Sequence, residues 1–110
     1  MKTKAIFVIL VTLFMGCLVF NNNAYAGRQD IVNLVDRMIA EGVITHIEYA
    51  DYYVNEYAWA VWDAQTKKNF AFACAVHYLE KGGGAERSEI YGSHSGKKLA
   101  KWGAFGFKIY

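Results

Sequence analysis

Apolar residues recur at helical spacing through residues 29–41. Ile31, Leu34, Val35, Met38 and Ile39 share one face, and Asn33, Asp36, Arg37 and Glu41 take the wet side. Asp30 falls in the first turn, where a negative charge suits the helix dipole. Gly42 follows as a left-handed cap, with Val43 and Ile44 placed to fold back on the last turn. The period then shortens to two. Thr45, Ile47 and Tyr49 lie on one side of a strand and His46 and Glu48 on the other; Ala50-Asp51 serves as the turn and Tyr52-Tyr53-Val54 returns. Asn55 caps a helical turn carrying Tyr57, Trp59 and Trp62.

The longest pattern runs from Asp63 to Lys81. Between Asn69 and His77 no side chain is polar. Phe70, Phe72, Cys74 and Val76 alternate with alanines, which fits a buried strand by period alone. Length and alanine content decide for a helix. Asp63 is its N-cap, and Gly82-Gly83-Gly84 stops it. Apolar on nearly all sides, it needs cover from more than one layer. Residues 87–91 then read as a strand, 92–96 as a glycine-bounded turn, 97–102 as the returning strand and 107–110 as a last strand. The order is amphipathic helix, hairpin, long buried helix, and C-terminal antiparallel hairpin plus strand. It predicts an α+β fold with an antiparallel sheet backed by helices. Residues 27–110 form a single domain with no internal repeat.

Residues 1–26 read differently. Lys2 and Lys4 precede the uncharged run Ala5–Phe20, and Ala24-Tyr25-Ala26 offers a small-residue cleavage site. This layout predicts a secretory signal peptide cut after Ala26. The run is shorter than the ~20 residues of a spanning helix. Two alternatives remain: an uncleaved anchor, or lipidation at Cys17 within Phe14-Met15-Gly16-Cys17. Only these would tie the chain to a membrane; otherwise it is expected to be exported, periplasmic or secreted. Lys2 and Lys4 leave with the signal, so 12 basic and 10 acidic residues become 10 and 10. A neutral chain lacks the dense basic surface that nucleic acid requires. The balance is uneven along the sequence: seven acids stand against two arginines in residues 27–63, and eight bases against three acids in 64–110. The halves either face each other in the fold or form a surface for an anionic or self-complementary partner.

Cys74 is the one cysteine beyond the signal, so no internal disulfide staples the domain. Aromatic residues compensate, at 16% of the chain. Cys74 and His77 share a helix face and could pair as thiolate and imidazolium, but a reactive thiol needs access and Cys74 lies in the driest stretch. Ser93 and His94 put a hydroxyl beside an imidazole in a turn without an orienting acid. His46, Glu48 and Asp51 could converge, yet a solvated strand face explains them equally. Cys-x-x-His has no matching pair to complete a zinc site. No metal or other cofactor is expected. Lys97, Lys98 and Lys101, with Lys108, could contact an anionic polymer or lipid headgroup, or protect an edge strand from aggregation. Tyr49, Tyr52, Tyr53, Tyr57, Trp59 and Trp62 are the densest aromatic set, fit either for the core or for a binding surface.

Tyr53-Val54-Asn55 with Trp59, Lys67-Lys68-Asn69, Ile90-Tyr91, Ser95-Gly96-Lys97-Lys98-Leu99-Ala100 and Gly106-Phe107-Lys108-Ile109-Tyr110 together resemble small uncharacterised bacterial domains of exported or membrane-tethered proteins. The resemblance implies a bacterial, exported protein and brings no activity with it. The expected function is therefore a non-enzymatic interaction domain of the cell envelope, contacting a protein or a glycan through the aromatic segment, with the lysines second. The alternative class is a small hydrolase or thiol-dependent enzyme using Cys74 and His77, or Ser93 and His94.

Overall fold

The computed structural model describes residues 27–110; the signal peptide expected over residues 1–26, and Cys17 with it, lie outside the described residues. Helix α1 (Arg28–Ala40) buries Val32, Leu34, Val35 and Met38. Its end is closed as the sequence predicts. Gly42 has φ 82, its N–H donates to the Ile39 carbonyl at 3.2 Å, and the Val43 N–H donates to the Met38 carbonyl at 2.9 Å. These two bonds satisfy carbonyls that the helix end would otherwise leave bare.

Strands β1 (Ile44–Glu48) and β2 (Asp51–Val54) form the first hairpin. The turn is Tyr49-Ala50 rather than Ala50-Asp51, because Asp51 pairs with Glu48. A bulge between Ile44 and His46 adds a residue to β1. That extra residue turns Thr45 outward, and Tyr49 is 81% exposed in the turn; neither faces the core as the alternation had implied. Helix α2 (Glu56–Val61) is capped by Asn55, whose Oδ1 accepts from the N–H groups of Tyr57 and Ala58. Helix α3 (Ala64–Tyr78) is capped by Asp63, whose Oδ1 accepts from the Thr66 N–H at 2.7 Å. Regular α3 ends before the expected Lys81 and unwinds into a wide turn over Leu79–Gly83.

Strands β3 (Ser88–Gly92), β4 (Lys98–Gly103) and β5 (Gly106–Ile109) complete a five-stranded sheet in the order β1-β2-β3-β4-β5. The fold is α+β, with helix, hairpin, helix and C-terminal strands in the predicted order. The sheet is mixed, not antiparallel throughout: β2 and β3 run parallel. The reason is the connection. Helices α2 and α3 lie between these strands, and a helical crossover returns the chain to begin the next strand in the same direction.

Helix α3 packs against α1, β3 and β4, and α1 against β1. This gives α3 the cover its apolar circumference requires. Phe70, Cys74, Val35, Met38, Tyr52, Val54, Ile90 and Ala100 meet in the core. The Phe70 ring lies 5.1 Å from Trp62 and 6.2 Å from Trp59, centroid to centroid. Ser88 Oγ donates to the Ala71 carbonyl at 2.7 Å and ties β3 to α3 inside this core. All of these strand residues point to one side of the sheet, and the helices lie there. Among the described residues no helix is long and apolar enough to cross a membrane.

Candidate interaction surface

Among the described residues no helix lies on the opposite face of the sheet. Alternation and register fix its contents. Glu48 pairs with Asp51, Asp51 with Glu89, Glu89 with Lys101, and Lys101 with Lys108. One row across all five strands therefore reads acid, acid, acid, base, base. The neighbouring row begins with His46 opposite Tyr53, Tyr53 opposite Tyr91, and Tyr91 opposite Lys98. A bulge at β4 sets Leu99 aside and turns Lys98 to this face. Tyr110 closes the row: Lys98 Nζ lies 5.2 Å and Lys108 Nζ 4.8 Å from its ring centre.

The rings form a ladder. His46 stacks on Tyr53 at 4.1 Å with planes 12° apart, and Tyr53 stacks on Tyr91 at 5.3 Å with planes 22° apart. Such cross-strand pairs stabilise a sheet. They also engage the ring faces with one another, leaving edges and hydroxyls toward solvent. Lys98 Nζ lies 2.6 Å from Glu89 Oε1. That lysine holds the Glu89 carboxyl below its usual range and is itself raised. Asp51 moves the other way: loss of water and the adjacent Glu89 and Glu48 carboxylates push it up. Beside the β4–β5 turn, Glu89, Lys101 and Lys108 border a shallow groove of about 430 Å³, next to the fully exposed Phe105.

The six aromatic candidates divide. Trp59, Trp62 and Tyr52 are 7%, 3% and 1% exposed and belong to the core, which corrects their placement on a contact surface. A small domain without a disulfide spends its largest rings on burial. Tyr49 and Tyr57 are exposed but lie in the β1–β2 turn and on α2. Of the set, only Tyr53 lies on the open sheet face. Lys97, Lys98 and Lys101 do not make one anionic contact patch: Lys97 is in the turn, Lys98 is paired with Glu89, and Lys101 faces Glu89 across the strands. Nor do these three guard an edge, since β4 is flanked by β3 and β5, whereas Lys108 does lie on the edge strand β5.

The chemical candidates find structural partners. Cys74 is fully buried, and burial pushes its thiol well above the ordinary value. His77, on the same face of α3, is engaged at both ring nitrogens. Nε2 lies 2.9 Å from Asp36 Oδ1, and Nδ1 lies 2.7 Å from the Tyr52 hydroxyl. A carboxylate only accepts, so Nε2 carries the hydrogen toward Asp36, and in the neutral ring Nδ1 accepts from Tyr52. Burial pushes the Tyr52 phenol up. The chain of three links α1, α3 and β2 beside a shallow groove of about 360 Å³ that includes Tyr49, Tyr78 and Lys81. Tyr49 holds a left-handed φ of 56 there, an uncommon conformation for a bulky residue.

The loop holding Ser93 and His94 wraps around Glu56. Its carboxylate accepts from the backbone N–H groups of His94 and Ser95. These bonds hold the Glu56 carboxyl below its ordinary range. A side chain on Gly92 would run into that carboxyl, so the glycine makes room for the brace. His46 stacks on Tyr53 instead of converging with Glu48 and Asp51, and among the described residues no group of three His, Cys, Asp or Glu could hold a metal ion.

Glu89, Tyr91, Lys108 and Tyr110 carry much of the open face, and local sequence patterns do not single them out together. The alternation of Glu89 and Tyr91 with Ser88 and Ile90 held that signal, but only the register shows which rows they join. Compared with known families, curated proteins and solved structures, the chain matches none.

Proposed function

We propose that this chain is an exported, non-enzymatic interaction domain of the bacterial envelope, and that it binds a protein surface through the open face of its sheet. The observation that carries the reading is the ladder His46–Tyr53–Tyr91 beside a charged row, on a face that no other element covers among the described residues. Tyrosine edges, hydroxyls and paired charges are common in protein contacts. A glycan stacks on free ring faces, and here Tyr53 is flanked on both faces by its neighbours. The partner expected is therefore a protein with basic groups opposite β1 and β2 and acidic groups opposite β4 and β5. Enzymatic readings gain no support, because the thiol is sealed in the core and His77 is saturated.

A photo-cross-linking residue placed at Tyr91 in growing cells tests this, with the same residue at exposed Lys68 on α3 as control. A discrete protein adduct from position 91 and none from 68 is expected. No adduct at 91, or equal adducts at both, would overturn the reading. Fractionation of a C-terminally tagged chain tests export: the tag belongs in the envelope or medium at the size of residues 27–110, and a full-length cytosolic product would contradict it.

A further inference from the structure

The charged row on the open face reverses its sign across the sheet. Glu48, Asp51 and Glu89 occupy β1 to β3, and Lys101 and Lys108 occupy β4 and β5. We infer that the surface this face fits is a second copy of itself, related by a two-fold axis that runs along β3. The inference rests on the reading that the open face is a contact surface.

Two face-to-face arrangements have two-fold symmetry with the strands aligned. An axis across the strands stacks β1 on β1 and β5 on β5: along the charged row it sets acids on acids and lysines on lysines, and between the two rows it sets Lys101 on Lys98 and gives none of the three acids a lysine. An axis along the strands stacks β1 on β5 and β2 on β4. The charged row then meets its own reverse, with Glu48 over Lys108 and Asp51 over Lys101. The aromatic row does the same: Tyr53 meets Lys98, and Tyr91 meets Tyr91. A closed two-fold contact must be self-complementary; this arrangement sets four of the five charged positions against the opposite sign, and Glu89, on the axis over its own copy, keeps Lys98 of its own chain as counter-ion. Packed sheets lie about 10 Å apart with aligned strands about 30° askew, which suits interleaved Lys, Glu and Tyr side chains.

The isolated chain leaves this row unbalanced. Three carboxylates sit side by side, of which Glu89 alone has a lysine of its own chain, and loss of water together with the adjacent Glu89 and Glu48 pushes Asp51 up. Lys101 makes no ion pair among the described residues. A partner's Lys101 and Lys108 would relieve the acidic half. The face is small. Five strands at ~4.8 Å by roughly five residues at ~3.3 Å cover a few hundred Å², against about 800 Å² per partner in a standard interface. The dimer is accordingly weak and exchanging, and it is sought at high protein concentration.

Sedimentation equilibrium of the chain over residues 27–110, taken to millimolar concentration, is the first measurement. Reversible dimerisation is expected. Asp51→Lys and Lys101→Asp should each weaken it about tenfold or more, because every reversed charge meets a like charge twice. The double variant Asp51→Lys with Lys101→Asp should restore it, since the two sites exchange signs. That rescue also separates lost contact from lost folding. A bis-maleimide thiol cross-linker of about 10 Å span, matched to the sheet spacing, tests the axis. Glu89→Cys should cross-link to itself, Asp51→Cys alone should not, and an equal mixture of Asp51→Cys and Lys101→Cys should. A monomer at millimolar concentration, single charge reversals without effect, absent rescue, or self-linking Asp51→Cys would each overturn the inference. If the chain stays monomeric while position 91 captures a different protein in cells, the homotypic partner falls and the contact surface stands. If neither forms, both fall.

Discussion

The two faces of this sheet come from alternate residues of the same strands, yet they are held by different physics. Tyr52 and Tyr53 are chain neighbours. Tyr52 is 1% exposed, fixed by His77 and covered by α1 and α3. Tyr53 stands on the other side, stacked between His46 and Tyr91. The covered face gains from removing apolar surface from water, and polar groups inside it are partnered, Tyr52 through His77 to Asp36 and Ser88 to the Ala71 carbonyl. The open face gains from cross-strand stacking and screened charge, which are individually small. The lesson is that aromatic density marks neither face. Stability should reside on one and recognition on the other.

The largest effect that could break this contrast is in the covered face. Phe70→Ala should lose about 3–5 kcal/mol, read from the urea midpoint, because Phe70 is fully buried against Trp59 and Trp62. A loss below ~1 kcal/mol would mean that the core is not centred there. Tyr52→Phe should cost about 1–3 kcal/mol, since it leaves His77 Nδ1 buried without its partner. An unchanged midpoint would show that the three-residue chain adds nothing to stability.

Glu56 lies off both faces and tests the brace between α2 and the β3–β4 loop. Its folded pKa is depressed from the ordinary 4.5, so protonation favours the unfolded chain. The stability it contributes is complete above that value and is lost as the pH falls through the lower, folded value. Glu56→Gln should therefore unfold more easily than the parent at neutral pH, with the gap closing in acid. A gap that is constant with pH would contradict the role of its charge. The smallest effect belongs to the open face. Tyr91→Ser should change stability by about 1 kcal/mol or less while removing the contact at that position. A loss as large as that of Phe70→Ala would end the distinction between the faces.

Much of this fold was legible because its signals are local. Gly42, Asn55 and Asp63 close or open their helices as side-chain chemistry dictates. The alanine-rich apolar run of α3 could satisfy itself only in a covered helix. The features that could not be read depend on distant residues. The parallel pairing of β2 with β3 comes from the path of the crossover, which no short stretch encodes. The bulges at Thr45 and Leu99 each shift the alternation of their strand by one residue. Alternation alone therefore misassigns Thr45 and leaves Lys98 without its Glu89, while Tyr49 escapes the pattern because the strand has already ended and it sits in the turn. Asp36 looked like a solvated residue of α1 because its partner, His77, lies 41 positions away. The sign reversal across the open face was already present as an acidic first half and a basic second half. It became a surface only when register set Glu48, Asp51, Glu89, Lys101 and Lys108 in one line.

That line is the central claim, and amide NMR on a dilution series tests it directly. Between millimolar and micromolar protein, peaks of β1 to β5 residues that face away from the helices should move together, while those of α1 and α3 stay in place. Peaks that do not move, or that move on the helices and leave Tyr53, Tyr91 and Lys101 still, would contradict the account.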